Sequence, residues 1–191
     1  MLWPLLLIAS VQCGGADPVA MLAQADRLRA AGHARRDPQL LVRGVSCAAR
    51  ASGAVFDIEG DPAPIDLAER IAEARILAED DVALNATLDA VPVDRGRAGG
   101  STAFAGRATT DRPWRRRIPF DGGETAMLYL RTDAPARMVV RDAAGRVRCD
   151  ARRASGRVLC RWLPAGREVV EVQVMLTRPK DPDRAFALFT N

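Results

Sequence analysis

The hydrophobic period of the chain changes once, and that change limits the folds open to it. Before Pro92 apolar residues recur at helical spacing, and beyond Asp111 they alternate. A period near 3.6 buries one stripe of a helix, and a period of two buries one face of a strand. A chain that switches from the first to the second segregates its helices from its strands, which predicts an α+β protein. The expected layout is a small helical domain over 17–91, a linker over 92–111 and an antiparallel β-sandwich over 112–191.

In the first half, Asp17-Pro18 and Asp37-Pro38 each set a capping residue before a proline at the first helical position. Met21, Leu22, Ala25 and Leu28 follow the first start, with Gly32 as its stop. Leu40, Leu41, Val45 and Ala48 follow the second, with Gly53 as its stop. The pair predicts an antiparallel helical hairpin. After the irregular stretch "VFDIEGDPAP", Leu67, Ile71, Ala74 and Leu77 predict a third helix. Val82, Leu84 and Leu88 predict a fourth, ending before Pro92. The segments share no fixed period, so a solenoid is not expected.

The stretch "VDRGRAGGSTAFAGRATTDRP" is rich in Gly, Ser and Thr and reads as a linker or exposed loop. Beyond it Leu128 and Leu130 alternate with Tyr129 and Arg131, and Val170, Val172 and Val174 with Glu171 and Gln173. Val147 and Cys149 alternate with arginines, as do Val158, Cys160 and Trp162. Turns such as "DGGE", "DAAG", "ASG" and "PAG" separate these runs, the pattern of a sandwich or barrel. A hairpin folded about Ala154 and Ser155 sets Cys149 opposite Cys160 and Val147 opposite Trp162, all four inward. Opposed Cβ atoms lie about 4.5–5.5 Å apart, close to disulfide reach. A Cys149–Cys160 bridge is therefore expected, the alternative being two reduced, buried cysteines.

The first residues, "MLWPLLLIASVQCGGA", read as an export leader, although no Lys or Arg precedes the apolar run. Leu2–Val11 is apolar but shorter than the roughly 20 residues a membrane span needs. Gly14 and Ala16 have the small side chains of a cleavage site, so 1–16 is expected to leave as a signal peptide. Lipid attachment at Cys13 and a retained buried helix are the alternatives. Export places the chain in the periplasm or outside the cell, where disulfides persist. If Cys13 leaves with the leader, Cys47 is expected to be free and packed as a small apolar residue.

Hydrophobic residues make up 48% of the chain, enough for a packed core, and aromatics only 5%. The net charge of +4 raises the question of nucleic acid. Nearly every cation is arginine, Lys180 is the single lysine, and no basic run interleaves with aromatics, so nucleic acid is not an expected partner. The one histidine, His33, follows Gly32 in the turn between two helices, where a capping or surface role is expected. Nothing in the sequence brings it to Cys47 as a nucleophile–base couple. "GRAGGSTAFAG" lacks the Lys-Ser/Thr ending of a phosphate loop. The carboxylates of "AEDD" (Ala78 to Asp81) and of Glu59 and Asp61 suit helix starts. No catalytic residue, metal or cofactor is expected. The densest basic run, Trp114, Arg115, Arg116 and Arg117, is the candidate anion- or partner-binding site, its plain alternative being the outer face of a first strand. These features predict a non-catalytic periplasmic or envelope interaction module whose partner is an envelope protein or polymer. A carbohydrate- or envelope-polymer-binding module and a hydrolase are the alternatives.

The second half also resembles the bacterial pre-peptidase C-terminal-like β-sandwich found in secreted proteobacterial proteins. The matching stretches are "IPFDGGE" (Ile118 to Glu124), "VVRDAAGRVRCD" (Val139 to Asp150), "CRWLP" (Cys160 to Pro164) and "AFALFTN" (Ala185 to Asn191). The resemblance covers about 112–191 and implies a non-catalytic appendage with a binding, folding or secretion role. Some relatives carry an acidic turn suited to Ca²⁺. Here that place keeps Asp133 and Asp142 among Arg131, Arg137 and Arg141, too few oxygen ligands for the ion.

Overall fold

The computed structural model describes residues 13, 17–52, 56–59, 67–91, 101–178 and 184–191. Among the described residues four helices come first: α1 (Pro18–Arg35), α2 (Pro38–Ser52), α3 (Leu67–Ala78) and α4 (Val82–Asp89). Their starts follow the capping residues. Asp17 Oδ1 accepts from the Ala20 amide at 2.9 Å, Asp37 Oδ1 from Gln39 at 2.9 Å, and Asp81 Oδ1 from Ala83 and Leu84 at 3.0 Å. Asp81 of the "AEDD" cluster thus serves as an N-cap. Helix α1 runs past Gly32 to Arg35 and is capped by Arg36, which takes the left-handed conformation with φ 51°. Leu41, Val42, Val45, Ala48, Leu67, Ala74 and Leu88 form the core between the helices.

Nine strands follow or intervene among the described residues: β1 (Phe56–Glu59), β2 (Ser101–Ala108), β3 (Trp114–Phe120), β4 (Ala126–Arg131), β5 (Ala136–Arg141), β6 (Val147–Arg153), β7 (Arg157–Trp162), β8 (Glu168–Leu176) and β9 (Arg184–Thr190). They form two sheets, in the orders β1-β2-β9-β4-β7 and β3-β8-β5-β6. Apart from β1, which pairs parallel to β2, each sheet is a four-stranded antiparallel array. This is the expected α+β layout with a sandwich. Leu128, Leu130, Met138, Val140, Val158, Val170, Val172, Val174 and Leu188 fill the space between the sheets.

Two segments depart from the expected organisation. Ser101–Ala108, expected to lie in the linker, is a strand pairing with β9 from Thr102↔Thr190 to Ala108↔Arg184. Its Gly106 has no room for a side chain. A Cβ on Gly106 would come within 2.4 Å of the Phe186 ring and 3.0 Å of Trp114. Phe56–Glu59, in the stretch expected to be irregular, is the edge strand β1. A strand from the helical half therefore joins the sheet of the second half. Residues 92–100 of the expected linker, and the expected leader other than Cys13, lie outside the described residues.

The cysteines are all paired. Cys149–Cys160 forms as expected, with Cα atoms 5.9 Å apart, but not across a hairpin. Strands β6 and β7 lie at the edges of different sheets, so the bridge closes the open side of the sandwich. A β-bulge at Val140–Arg141 also slips the register. Val147 therefore stands opposite Arg141 on the outer face, 50% exposed, and not inward beside Trp162 as expected. Cys47 is not free: it bridges to Cys13, with Cα atoms 5.3 Å apart, and both are buried. The sulfur that lipid attachment would use is thus the one bonded to Cys47. Two disulfides point to folding in an oxidising, extracytoplasmic environment. Among the described residues no helix is long and apolar enough to cross a membrane.

Candidate functional site

Charge concentrates in two places, one sealed and one open. The sealed cluster lies where the helices meet the first sheet. Val19, Leu22 and Ala23 of α1 and Ala51 of α2 pack against Ala103, Tyr129, Ala187 and Phe189, which point away from the sandwich core. In this interface Asp26 of α1 is fully buried. Tyr129 donates its hydroxyl proton to Asp26 Oδ2 at 2.6 Å, and Arg131 Nε lies 2.9 Å from the same oxygen. Arg70 of α3, itself 3% exposed, pairs with Asp26 Oδ1, and Arg157 Nε stands at 3.9 Å. Burial pushes the Asp26 carboxyl up, but the charges of Arg131 and Arg70 and the hydrogen bonds from Tyr129 and Arg70 outweigh it and hold the carboxyl below its ordinary value. Burial, and then the Asp26 charge, push the Tyr129 phenol up, so it stays protonated. The cluster ties α1 and α3 to β4 and β7 around a carboxylate that is itself fully buried. At the far end of α1, Asn191 Nδ2 donates to Asp17 Oδ2 at 3.0 Å and to the Thr125 carbonyl at 2.8 Å, pinning the helix start to the sheet.

The open place is the outer face of the second sheet. Ile118, Val170, Val172, Met138 and Val140 point inward, so the intervening residues of β3, β8 and β5 point out. Arg117, Glu171 and Arg141 stand in register as one row across these three strands. Arg115, Gln173, Val139 and Asp150 make the next row. Five arginines (Arg115, Arg117, Arg137, Arg141, Arg152) thus share the face with two carboxylates, Glu171 and Asp150. Asp150 is taken up by Arg137, whose Nε lies 2.7 Å away and whose hydrogen bonds hold the carboxyl below its ordinary value. A groove of about 300 Å³ runs over the first row, lined by Arg117, Arg141, Asp142, Ala143, Gly145, Val169 and Glu171.

One wall of this groove is the "DAAG" turn. Asp142 Oδ1 accepts from the amides of Ala144 and Arg146 at 2.9 Å, and Oδ2 from Arg146 Nε at 2.7 Å. Burial raises the Asp142 carboxyl, but these bonds outweigh it and keep the group ionised. Asp142 is thus a turn former, and Asp133 is 3.4 Å from Arg184. Among the described residues no three His, Cys, Asp or Glu side chains converge as metal ligands would.

The candidate run Trp114–Arg117 is split by the alternation of β3. Arg115 and Arg117 stand exposed on the outer face. Trp114 and Arg116 turn the other way, toward the rim of the core. Trp114 packs edge-on against Phe186, ring centres 5.2 Å apart, and the Arg116 guanidinium lies over the Phe104 ring at 4.5 Å. Trp114 is therefore a packing residue. Tyr129 is 2% exposed, so neither ring offers a flat platform to a sugar. His33 meets Glu73 Oε2 at 3.2 Å on the helical surface, and Cys47 is spent in its disulfide. Sequence reasoning missed Arg141, Val169 and Glu171 as neighbours of Arg117. Their outward parity was legible, but the strand order that sets β8 and β5 beside β3 was not.

No protein-family model matches the chain, and no curated protein matches it.

Proposed function

We propose that the chain is an exported, non-catalytic binding module of the periplasm or cell envelope, and that it meets an acidic partner through the outer face of the second sheet. The observation that carries this reading is the exposed pair Arg115 and Arg117, side by side on a face whose arginines outnumber its carboxylates. Guanidinium groups stay charged and bind carboxylates and phosphates through paired hydrogen bonds, which suits recognition and not proton transfer. Three further features support binding over catalysis. Asp26 is sealed, Cys47 is oxidised, and His33 stands on the helical surface, away from the groove. The resemblance of 112–191 to the pre-peptidase C-terminal-like sandwich fits a non-catalytic role, since such modules are appendages with binding, folding or secretion roles.

Capture of partners from an envelope extract tests it. Wild-type protein should retain an acidic partner at low salt and lose it as salt rises, because exposed charges are screened. Replacing Arg115 and Arg117 by glutamate should abolish capture. Turnover of peptide, ester or glycan substrates that survives His33→Ala and rigorous purification overturns the non-catalytic reading.

A further inference from the structure

We infer that the groove over Arg117, Glu171 and Arg141 takes an extended acidic protein segment that also carries apolar side chains. The inference rests on the reading of the open face as the contact surface and names its occupant. Neighbouring strands are about 4.8 Å apart, so the row sets Arg117 and Arg141 roughly 10 Å from each other across β8. An extended segment rises about 3.3 Å per residue, so carboxylates two or three residues apart reach both guanidiniums. Arg141 is already oriented by its Nη1 bond to the Gly145 carbonyl at 3.2 Å, and Asp142 fixes the turn that forms the wall.

The groove is not uniformly positive, and this decides between classes of partner. Glu171 stands between the two arginines, and Asp142 lies in the wall. A chain of phosphates meets repulsion at both places. A peptide can place a neutral or basic residue opposite Glu171. Val169 and Val147 are 46% and 50% exposed on this face. Covering them rewards an apolar side chain, which a phosphate chain lacks. A second copy of this face is disfavoured, since five arginines would meet five.

Fluorescence anisotropy on the full chain tests the assignment, with a labelled peptide of Asp-Ser-Asp-Ser-Leu-Ser repeats, which sets carboxylates and leucines on one face of an extended segment, and a labelled polyphosphate of similar charge. The peptide should bind more tightly than polyphosphate, and its amide shift changes should map to Gly145, Val169 and Glu171. Arg117→Gln, an exposed change, should weaken it about threefold, as expected for one exposed ion pair. Arg117→Lys should restore part of that loss, and Glu171→Gln should tighten binding. Tighter binding of polyphosphate overturns the peptide assignment. Shifts confined to Arg137 and Arg152 overturn the groove while leaving the arginine face as the contact surface. Binding of neither probe at low salt overturns both.

Discussion

The two sheets share one core but have opposite outer faces. The first sheet turns Ala103, Tyr129, Ala187 and Phe189 outward, and the helices cover them. The second turns Arg115, Arg117, Arg137, Arg141 and Arg152 outward, and they meet solvent. An antiparallel sheet needs only one buried face. Covering the other takes apolar residues there and an element to place on them, and the helical half supplies that element. Fixed packing and a buried charge cluster follow on the covered side. On the open side the outward positions carry charge, which is held in water and not packed against another element.

The largest expected effect lies on the covered side. Asp26→Ala leaves Arg70 charged and buried without its partner, which should cost about 3–5 kcal/mol in urea unfolding. Because Asp26 is held below its ordinary value, its stabilisation is complete above the unfolded value of about 4 and is lost as pH falls toward the folded value. The wild type should therefore lose stability below about pH 4 more steeply than Asp26→Asn, which has no carboxyl to protonate.

The bridges come next. Replacing both Cys149 and Cys160 by alanine should cost about 2–5 kcal/mol and loosen the side of the sandwich that the bridge closes. Non-reducing peptide mapping of the protein folded under oxidising conditions should find Cys13 linked to Cys47 as well. That outcome requires Cys13 to be retained, whereas a mature start at Asp17 would leave Cys47 free and remove the bridge.

Tyr129→Phe removes one hydrogen bond to a buried carboxylate and should cost about 1.5–3 kcal/mol, with unfolding still a single transition because the halves share an interface. Two separate transitions would mean that the covered face does not couple them. The smallest effect belongs to the open side. Arg115→Gln with Arg117→Gln should change stability by no more than about 0.5 kcal/mol, although the same pair should decide partner capture.

The contrast between the faces was partly written in the strands. β8, "EVVEVQVML", alternates, and its valines are buried on one face alone. β4, "AMLYLR", and β9, "RAFALFT", carry nearly continuous apolar runs, the pattern of strands buried on both faces. Taking Tyr129 only as the outward partner of Leu128 and Leu130 hid that signal. In β2 the small residues that allow Trp114 and Phe186 to approach Gly106 resemble a linker, because local composition does not reveal a crowded neighbourhood. In the groove, Arg117 was legible as a basic surface residue, but its partners came from strands more than twenty residues away in sequence.

By itself the sequence determined the kinds of element and their order. Caps, periods and turn residues are local, so Asp17, Asp37 and the alternating valines of β8 specify their structures within a few residues. It also brought Cys149 and Cys160 together, because a short loop holds them close in almost any compact arrangement. Only the tertiary structure decided that the bridge joins two sheets, that Cys13 pairs with Cys47, that Asp26 meets Arg70, Tyr129 and Arg131, and which sheet the helices cover. Those outcomes depend on strand order and on pairing between distant segments, where many registers satisfy the same local pattern and packing of the whole chain selects one.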